Sequence, residues 1–159
     1  TALVPPKIVK AVRIESAAEM AREIRRFAKS ADIIIMAAAV ADYTPMRPAK
    51  DKIKKKHAVL SIKLKKTEDI LAGLGKTKRK GQILVGFAAE TSDLIRNAET
   101  KLREKHLDWI IANEVGKKDR GFSSENNAAT LISCNGEKVK FSLQDKTSLA
   151  GKILGLLIR

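Results

Sequence analysis

Lysine side chains crowd into one stretch of the chain where they could bind an anion. Five of them fall within seven consecutive positions, at Lys50, Lys52, Lys54, Lys55 and Lys56. Pro45 and Pro48 precede them and exclude regular structure, so the stretch from Asp42 to Lys56 is expected to be a loop. Clustered ammonium groups repel one another and stabilise no fold. The loop is either a solvated surface segment or a basic flap that closes over phosphates.

A second set of lysines lies on a helix that is predicted to begin at Thr91 or Ser92 and to run to about Lys105. Its apolar and basic residues share one stripe, at Leu94, Ala98, Lys101 and Lys105. Like charges four residues apart are mildly destabilising on a helix unless an anion lies between them. The pair is therefore either a solvated lysine pair or half of an anion site.

A carboxylate follows the most apolar stretch of the chain. Asp32 to Ala39 predicts a buried parallel strand, and small residues lead from it to Asp42. In open α/β sheets the crevice beyond the carboxyl ends of the strands is where ligands bind, and small side chains let a ligand approach the backbone. Asp42 either contacts such a ligand or merely begins a turn.

Known catalytic patterns are missing from the sequence. It contains no G-x-G-x-x-G, no G-x-S-x-G and no H-E-x-x-H. The segment Gly75-Lys76-Thr77 resembles the end of a phosphate-binding loop, but Ile70 stands where the first glycine is required. A single cysteine, Cys134, excludes a disulfide within the chain and a zinc site made of cysteines.

The elements that must position these residues alternate between helices and strands. Ser16 with Glu19 forms a capping box for a first helix, and Thr67 is expected to cap a second, with Glu68 and Asp69 in its first turn and Gly75 at its end. Strands are predicted at Val9–Ile14, Asp32–Ala39, Val59–Leu64, Gln82–Phe87 and Asp108–Ala112. Asn135-Gly136 predicts a hairpin between Ala128–Ser133 and Lys138–Leu143, followed by a helix over Lys146–Ile158.

This order predicts a fold of the α/β class. We expect a three-layer, Rossmann-like domain with a mainly parallel sheet, a C-terminal antiparallel hairpin and the basic flap loop. At 159 residues the chain is expected to form a single domain over 1–159.

Composition narrows the possible partners. The formal net charge is +14, with 44% apolar and 31% charged residues, so the surface attracts polyanions. Nucleic acid, a phosphate-rich small substrate and a heat-adapted surface all fit this charge. Aromatic residues are only 4%, too few to stack a single strand. No apolar run approaches the ~18 residues of a membrane helix and no leader is recognisable, so we expect a cytoplasmic protein without a membrane partner.

Several short stretches, taken together, resemble phosphopantothenoylcysteine synthetase, the ligase activity of bifunctional coenzyme A biosynthesis proteins. They run in family order from about residue 8 to the C terminus: Ala37–Tyr43, Lys52–Lys55, Thr67–Leu71, Val85–Thr91, Ile111–Asn113, Gly121-Phe122 and Asn126-Asn127. The family's first strand and glycine-rich turn have no counterpart ahead of Thr1. The same holds for its flavin-binding decarboxylase half, to which FMN belongs.

The resemblance implies a ligase that joins 4′-phosphopantothenate to L-cysteine with CTP and Mg²⁺, through an acyl-cytidylate, and that works as a homodimer. Carried over by position, it makes Lys52 the catalytic residue, clamping the activated intermediate. It assigns nucleotide contacts to Met36, Ala37, Ala38, Asp42, Lys52, Glu68, Asp69, Ile70, Leu71, Phe87, Lys101 and Lys105. Lys101 and Lys105 would meet the phosphates, and no metal ligand is assigned.

The alternative function is a basic nucleic-acid-binding module, supported by the +14 charge. For the ligase, we expect nucleic acid to bind only non-specifically, because a strongly basic surface attracts phosphates whatever its function.

Overall fold

The computed structural model describes residues 4–49, 51–54, 59–115 and 124–158. In chain order its elements are α1 (Ala17–Ala28), β1 (Ile33–Ile35), β2 (Tyr43–Pro45), β3 (Leu64–Lys66), α2 (Ile70–Thr77), β4 (Ile83–Glu90), α3 (Leu94–Glu104), β5 (Trp109–Glu114), β6 (Asn126–Ser133), β7 (Lys138–Asp145) and α4 (Lys146–Leu157). The chain divides into two compact units. One comprises the described residues up to Phe27 and from Ala39 to Asp69, and the other those of 28–38 and 70–159.

The larger unit is built on a five-stranded sheet in the order β1-β4-β5-β6-β7. Strands β1, β4 and β5 pair in parallel, whereas β6 and β7 add to β5 as antiparallel neighbours. The β6–β7 turn contains Gly136 at φ +89°, where glycine is favoured because it has no Cβ. The C-terminal hairpin predicted from Asn135-Gly136 is therefore confirmed, and with it the α/β class of the fold.

Helices cover both faces of this sheet. On one face, α4 buries Leu149, Ile153 and Leu157 against Val85 and Leu131 of the strands. On the other face, Gly86 lies against Leu71 of α2 and against Leu107, which follows α3. The sheet between two helical layers is the three-layer arrangement expected from the sequence, because each element has one apolar face to bury.

Local capping explains where two of the helices begin. The Ser16 hydroxyl accepts a hydrogen bond from the Glu19 N–H at the start of α1, as predicted. Glu19 reaches back to the N–H of Glu15 rather than that of Ser16. At the start of α4, the Asp145 carboxylate accepts the N–H of Ser148 at 2.9 Å. Hydrogen bonds from the Ser148 side chain and from this N–H lower the pKa of Asp145 below its ordinary value.

The smaller unit carries α1 and a two-stranded antiparallel sheet. Strands β2 and β3 pair Tyr43 with Lys66 and Pro45 with Leu64. Large apolar side chains of this unit remain more than half exposed, namely Tyr43, Met46, Ile53, Val59, Leu60, Ile62 and Leu64. Two three-residue strands cannot bury so much apolar surface by themselves.

The strand predictions for the first third of the chain were too long. Residues 9–14 form no strand, and β1 is only three residues long rather than spanning Asp32–Ala39. Among the described residues β1 pairs with β4 on one side alone, so its residues are only partly buried and Ala37 to Ala39 are exposed. Of the predicted strand Val59–Leu64, only Leu64 lies in β3.

The predicted start and end of the second helix were also wrong. Glu68 and Asp69 precede α2 rather than forming its first turn, and Gly75 lies inside the helix, which continues to Thr77. Burial of Ile70 and Leu74 against the sheet extends the helix past the glycine, because packing outweighs the weak propensity of a single residue. None of the helices in the described residues is long and apolar enough to span a membrane.

Gly75 is required where α2 passes the end of α3. A Cβ at this position would lie 1.9 Å from the carbonyl oxygen of Lys105, which is backbone and cannot swing aside. We expect Gly75→Ala to lower the free energy of unfolding by about 1–3 kcal/mol, because overpacking outweighs the ~1 kcal/mol gained in helix propensity. Urea unfolding measures this change.

Two glycines of α4 provide the matched control. A Cβ at Gly151 or Gly155 would meet nothing within 4 Å. We expect Gly151→Ala and Gly155→Ala to raise the free energy of unfolding by up to about 1 kcal/mol. A Gly75→Ala protein as stable as these two variants would contradict the steric argument.

Candidate functional site

Strand β4 brings together several of the residues that were predicted to bind nucleotide. The N–H of Met36 donates to the carbonyl oxygen of Val85 at 2.9 Å, so the chain leaves β1 alongside β4. Ala37 and Ala38 follow and are exposed. The backbone of these two residues is therefore accessible to a ligand beside the carboxyl ends of two parallel strands.

Helix α2 approaches the same strand at Gly86. A Cβ on Gly86 would lie 2.6 Å from Leu107 Cδ1 and 3.1 Å from Leu71 Cδ2, so a larger residue would force these two leucine side chains to shift. Ile70 is 5% exposed, and Leu71 packs on the strand. The side chains of these two residues serve packing, and a nucleotide would meet them through the backbone N–H groups of the helix start.

Phe87 lies on the opposite face of the sheet from Gly86. Its ring is partly buried and packs against the core beneath α4, which includes Val85 and Ile111. The exposed part of the ring is the part that could stack on a base. The predicted contact between Phe87 and the nucleotide remains a prediction.

A carboxylate that the sequence analysis did not single out holds the first lysine of the α3 stripe. Lys101 Nζ lies 2.5 Å from Oε1 of Glu90, the last residue of β4. Asn97, one turn earlier on α3, donates from Nδ2 to Glu90 Oε2 at 3.3 Å. The anion required beside the lysine pair is therefore supplied by the protein itself. The available signal was an acidic residue at the end of an apolar strand, facing i and i+4 donors of the next helix.

Lys105 lies one residue beyond α3, as its C-cap. Its N–H donates to the carbonyl oxygen of Lys101, and its own carbonyl oxygen is the atom that approaches Gly75. The backbone of Lys105 thus has a structural role in placing α2, whatever its ammonium group binds.

Asn113 is a second polar group that sequence reasoning left without a role of its own. It lies near the carboxyl end of β5 in register with Ala89, and it is 4% exposed. Its Oδ1 has no hydrogen-bond partner among the residues that the structure describes. Leaving a buried acceptor unpaired costs about 1–3 kcal/mol, so this amide suits a ligand that donates an N–H or O–H.

The remaining predicted residues belong to the smaller unit. Asp42 is exposed just before β2, and its carbonyl oxygen accepts the N–H of Thr67 at 2.8 Å. Glu68 forms an ion pair with Arg25 of α1.

Asp69 and Lys52 are exposed. Lys54 shares the described part of the basic flap with Lys52, whereas Lys50, Lys55 and Lys56 lie outside the described residues.

The metal that the resemblance implies would have to be held by few protein ligands. Within the described ranges no three His, Cys, Asp or Glu side chains come together as a cage for an ion. Mg²⁺ in nucleotide sites is bound mostly by phosphate oxygens and water, with one or two carboxylates. The exposed carboxylate of Asp42 fits that requirement.

Comparison with curated proteins identifies relatives over nearly the whole chain. The chain is 42% identical over 146 residues to a "Cysteine/Cysteine sulfinic acid decarboxylase" from an unknown prokaryotic organism, covering 92% of this chain and 41% of that protein. It is 39% identical over 150 residues to the "Coenzyme A biosynthesis bifunctional protein CoaBC" of Bacillus subtilis (strain 168), covering 94% and 37%. The chain thus spans about two fifths of the length of these relatives.

Solved structures show the same fold. The crystal structure of the C-terminal domain of the coenzyme A biosynthesis bifunctional protein CoaBC superposes with a TM-score of 0.79 at 36% identity, covering 98% of this chain and 68% of that one. A mutant of Cab2 in complex with phosphopantothenate-cysteine superposes with a TM-score of 0.61 at 17% identity, covering 81% and 45%, and supports the fold alone.

A family assignment follows from these matches. The family described as the DNA/pantothenate metabolism flavoprotein C-terminal domain matches residues 1–159. The resemblance to phosphopantothenoylcysteine synthetase is confirmed by the CoaBC relatives and by the solved CoaBC domain. The chain therefore belongs to the family of the DNA/pantothenate metabolism flavoprotein C-terminal domain.

Proposed function

We propose that this chain is the ligase domain of a coenzyme A biosynthesis enzyme and that it joins 4′-phosphopantothenate to L-cysteine at the expense of CTP. The observation that carries the proposal is the arrangement along β4, from Val85 to the end of the strand at Glu90. The backbone of Met36 meets Val85, α2 begins over Gly86, and the ammonium group of Lys101 lies at the strand end. This arrangement suits a nucleotide with its phosphates near a fixed cation.

The chemistry of such a ligase requires no nucleophilic side chain. The phosphopantothenate carboxylate attacks the α-phosphorus of CTP, and pyrophosphate leaves. The amine of cysteine then attacks the acyl carbon of the acyl-cytidylate, loses a proton, and displaces CMP. Both steps transfer a group between substrates, so the protein contributes positioning and charge stabilisation. The missing catalytic motifs are compatible with this chemistry.

The protein's own cations would stabilise the charge that develops. Lys101 and Lys105 would bind phosphates from α3, and Lys52 would cover the acyl-cytidylate from the basic flap. Mg²⁺, when bound to the triphosphate, would neutralise part of its charge. The unpaired Oδ1 of Asn113 would accept a hydrogen bond from a substrate N–H or O–H. We place this enzyme in the cytoplasm.

We also propose that two copies of the chain form a homodimer through the smaller unit. Leu60, Ile62 and Leu64 alternate along the sequence with Ser61, Lys63 and Lys65. All three apolar residues are more than half exposed, and exposed apolar patches of this kind mark interaction surfaces. Two copies could pair these apolar faces while the lysines point away from one another.

We expect CTP with Mg²⁺ to raise the melting temperature of the protein, because a ligand that binds only the folded state stabilises it in proportion to its occupancy. Differential scanning fluorimetry with increasing CTP measures the shift. If CTP, ATP and GTP all leave the melting temperature unchanged at millimolar concentration, the nucleotide assignment is wrong.

A DNA duplex serves as the comparison ligand for the alternative function. The +14 charge predicts weak binding that weakens steeply with salt and shows no sequence preference. Nanomolar affinity for one defined sequence at physiological salt would favour the nucleic-acid-binding module over the ligase.

Lys52→Gln should separate catalysis from folding. Lys52 is exposed in the described part of the flap, so we expect the melting temperature and the affinity for CTP to change little. We expect synthesis, assayed in the intact enzyme, to fall by about 10²–10³, as on removing one preorganised donor from developing charge.

Lys54→Gln is the matched control for Lys52. Lys54 is equally exposed and two residues away, but the resemblance assigns it no contact. We expect its synthesis rate to stay near that of the wild type. Equal losses in both variants would show that the flap contributes only general positive charge.

Ile62→Glu tests the proposed dimer surface. A buried unpaired carboxylate at an interface is costly, whereas the same residue in an exposed position is tolerated. We expect light scattering to show a dimer for the wild type and a monomer for the variant, with similar circular dichroism spectra. A wild-type protein that is monomeric at all accessible concentrations would rule out the homodimer.

A further inference from the structure

The ion pair between Glu90 and Lys101 lies where the proposed function requires an anion from outside. Glu90 ends β4, at the carboxyl ends of the parallel strands β4 and β5. Its side chain is 19% exposed, whereas that of Lys101 is 42% exposed. The carboxylate thus sits on the protein side of the pair, and the ammonium group still faces solvent. An ammonium group has three donors, and Glu90 Oε1 accepts only one of them.

The carboxylate opposes the binding of phosphates at this place. Charges a few ångströms apart at a partly buried site interact strongly, so Glu90 repels any phosphate that reaches Lys101. A site built only for affinity would have no acid here. The geometry instead resembles an exchange, in which the lysine is bound by an internal anion until an external one arrives.

We propose that Glu90 is an internal counter-ion that holds Lys101 in place without nucleotide and lowers the affinity of the site for the triphosphate. This inference rests on the proposed function, because it takes Lys101 to be a phosphate contact. Asn97 donates to Oε2 and helps to keep the carboxylate beside Lys101 when phosphate binds. The repulsion therefore persists in the complex and promotes release of pyrophosphate after the first step.

A second ion pair on the same helix separates this role from a structural one. Glu99 of α3 lies 2.7 Å from Lys138 of β7, and the hydrogen bond from Lys138 lowers the pKa of Glu99. Side-chain exposure is 46% for Lys138 and 32% for Glu99, so this pair is somewhat more exposed than the Glu90 pair. Both pairs tie α3 to a strand, but only the Glu90 pair contains a predicted phosphate contact.

The experiment compares Glu90→Gln with Glu99→Gln in titration calorimetry with CTP and with inorganic triphosphate. Glutamine keeps the size of glutamate and an oxygen that can accept from lysine, and it removes the charge. We expect Glu90→Gln to bind both probes about tenfold more tightly than the wild type, since one nearby like charge is gone. We expect Glu99→Gln to match the wild type. The gain should shrink at high salt, which screens the partly exposed site.

A measurement that needs no nucleotide tests the ion pair between Glu90 and Lys101 itself. We expect acetylation of Lys101 by acetic anhydride, followed by mass spectrometry, to be faster in Glu90→Gln than in the wild type, with Lys138 as the internal reference. In Glu99→Gln the faster site should be Lys138 instead.

The possible outcomes distinguish a failure of the internal counter-ion from a failure of the proposed ligase function. Unchanged or weaker binding by Glu90→Gln, while the wild type binds CTP, overturns the internal counter-ion and leaves the ligase proposal intact. Equal gains in both variants would show a general charge effect and would also overturn it. A wild type that binds neither probe overturns the proposed function and this inference together. If Glu90 had only a structural role, its replacement would weaken nucleotide binding. Tighter binding by Glu90→Gln therefore supports its role as an internal counter-ion.

Discussion

The parallel pairing of β4 with β1 on one side and β5 on the other is the constraint on which the rest of the structure depends. Leu84, Val85 and Ala88 of this strand have no exposed surface. A parallel strand buried on both faces and bonded at both edges cannot shift its register without exposing its apolar side chains. The end of β4 is therefore fixed, and so are the groups that meet it from β1, α2 and α3.

Two close approaches follow from that constraint. At Gly86 the missing side chain leaves room for Leu71 of α2 and for Leu107, and at Gly75 it lets α2 pass the backbone at the end of α3. These glycines occupy a strand and a helix interior, where glycine is otherwise unfavourable. Their cost is offset by packing that brings the start of α2 beside β4, where the proposed nucleotide site lies.

The charged side chains of this protein matter mainly for ligand binding and less for the stability of the fold. Exposed ion pairs such as that of Arg26 with Glu23 contribute little to stability, so a +14 surface is not what holds the fold together. A Lys101 ammonium tethered at a strand end has a different effect, because its position is set before any ligand arrives. Preorganised charge is what a reaction between a carboxylate, a triphosphate and an amine requires.

Much of the architecture could be predicted from the amino-acid sequence, because it is encoded in neighbouring residues. Ser16 starts α1, Asn135-Gly136 turns the hairpin, and the alternation of apolar patterns indicates an α/β fold. These features depend on local hydrogen bonds and on backbone conformations that few residues adopt. The stretches quoted for the family resemblance could also be recognised from the sequence, because each is a short run of neighbouring residues and they occur in family order.

Tertiary structure alone decided the length of β1, the true start of α2, and which groups surround Lys101 and Asn113. A strand lasts only as long as a neighbour supplies hydrogen bonds, and β1 has that neighbour for three residues. Glu90 and Lys101 are eleven positions apart and meet because β4 and α3 pack together. The unpaired oxygen of Asn113 likewise depends on what surrounds the end of β5. Contacts between distant segments are set by packing, and no local pattern encodes them.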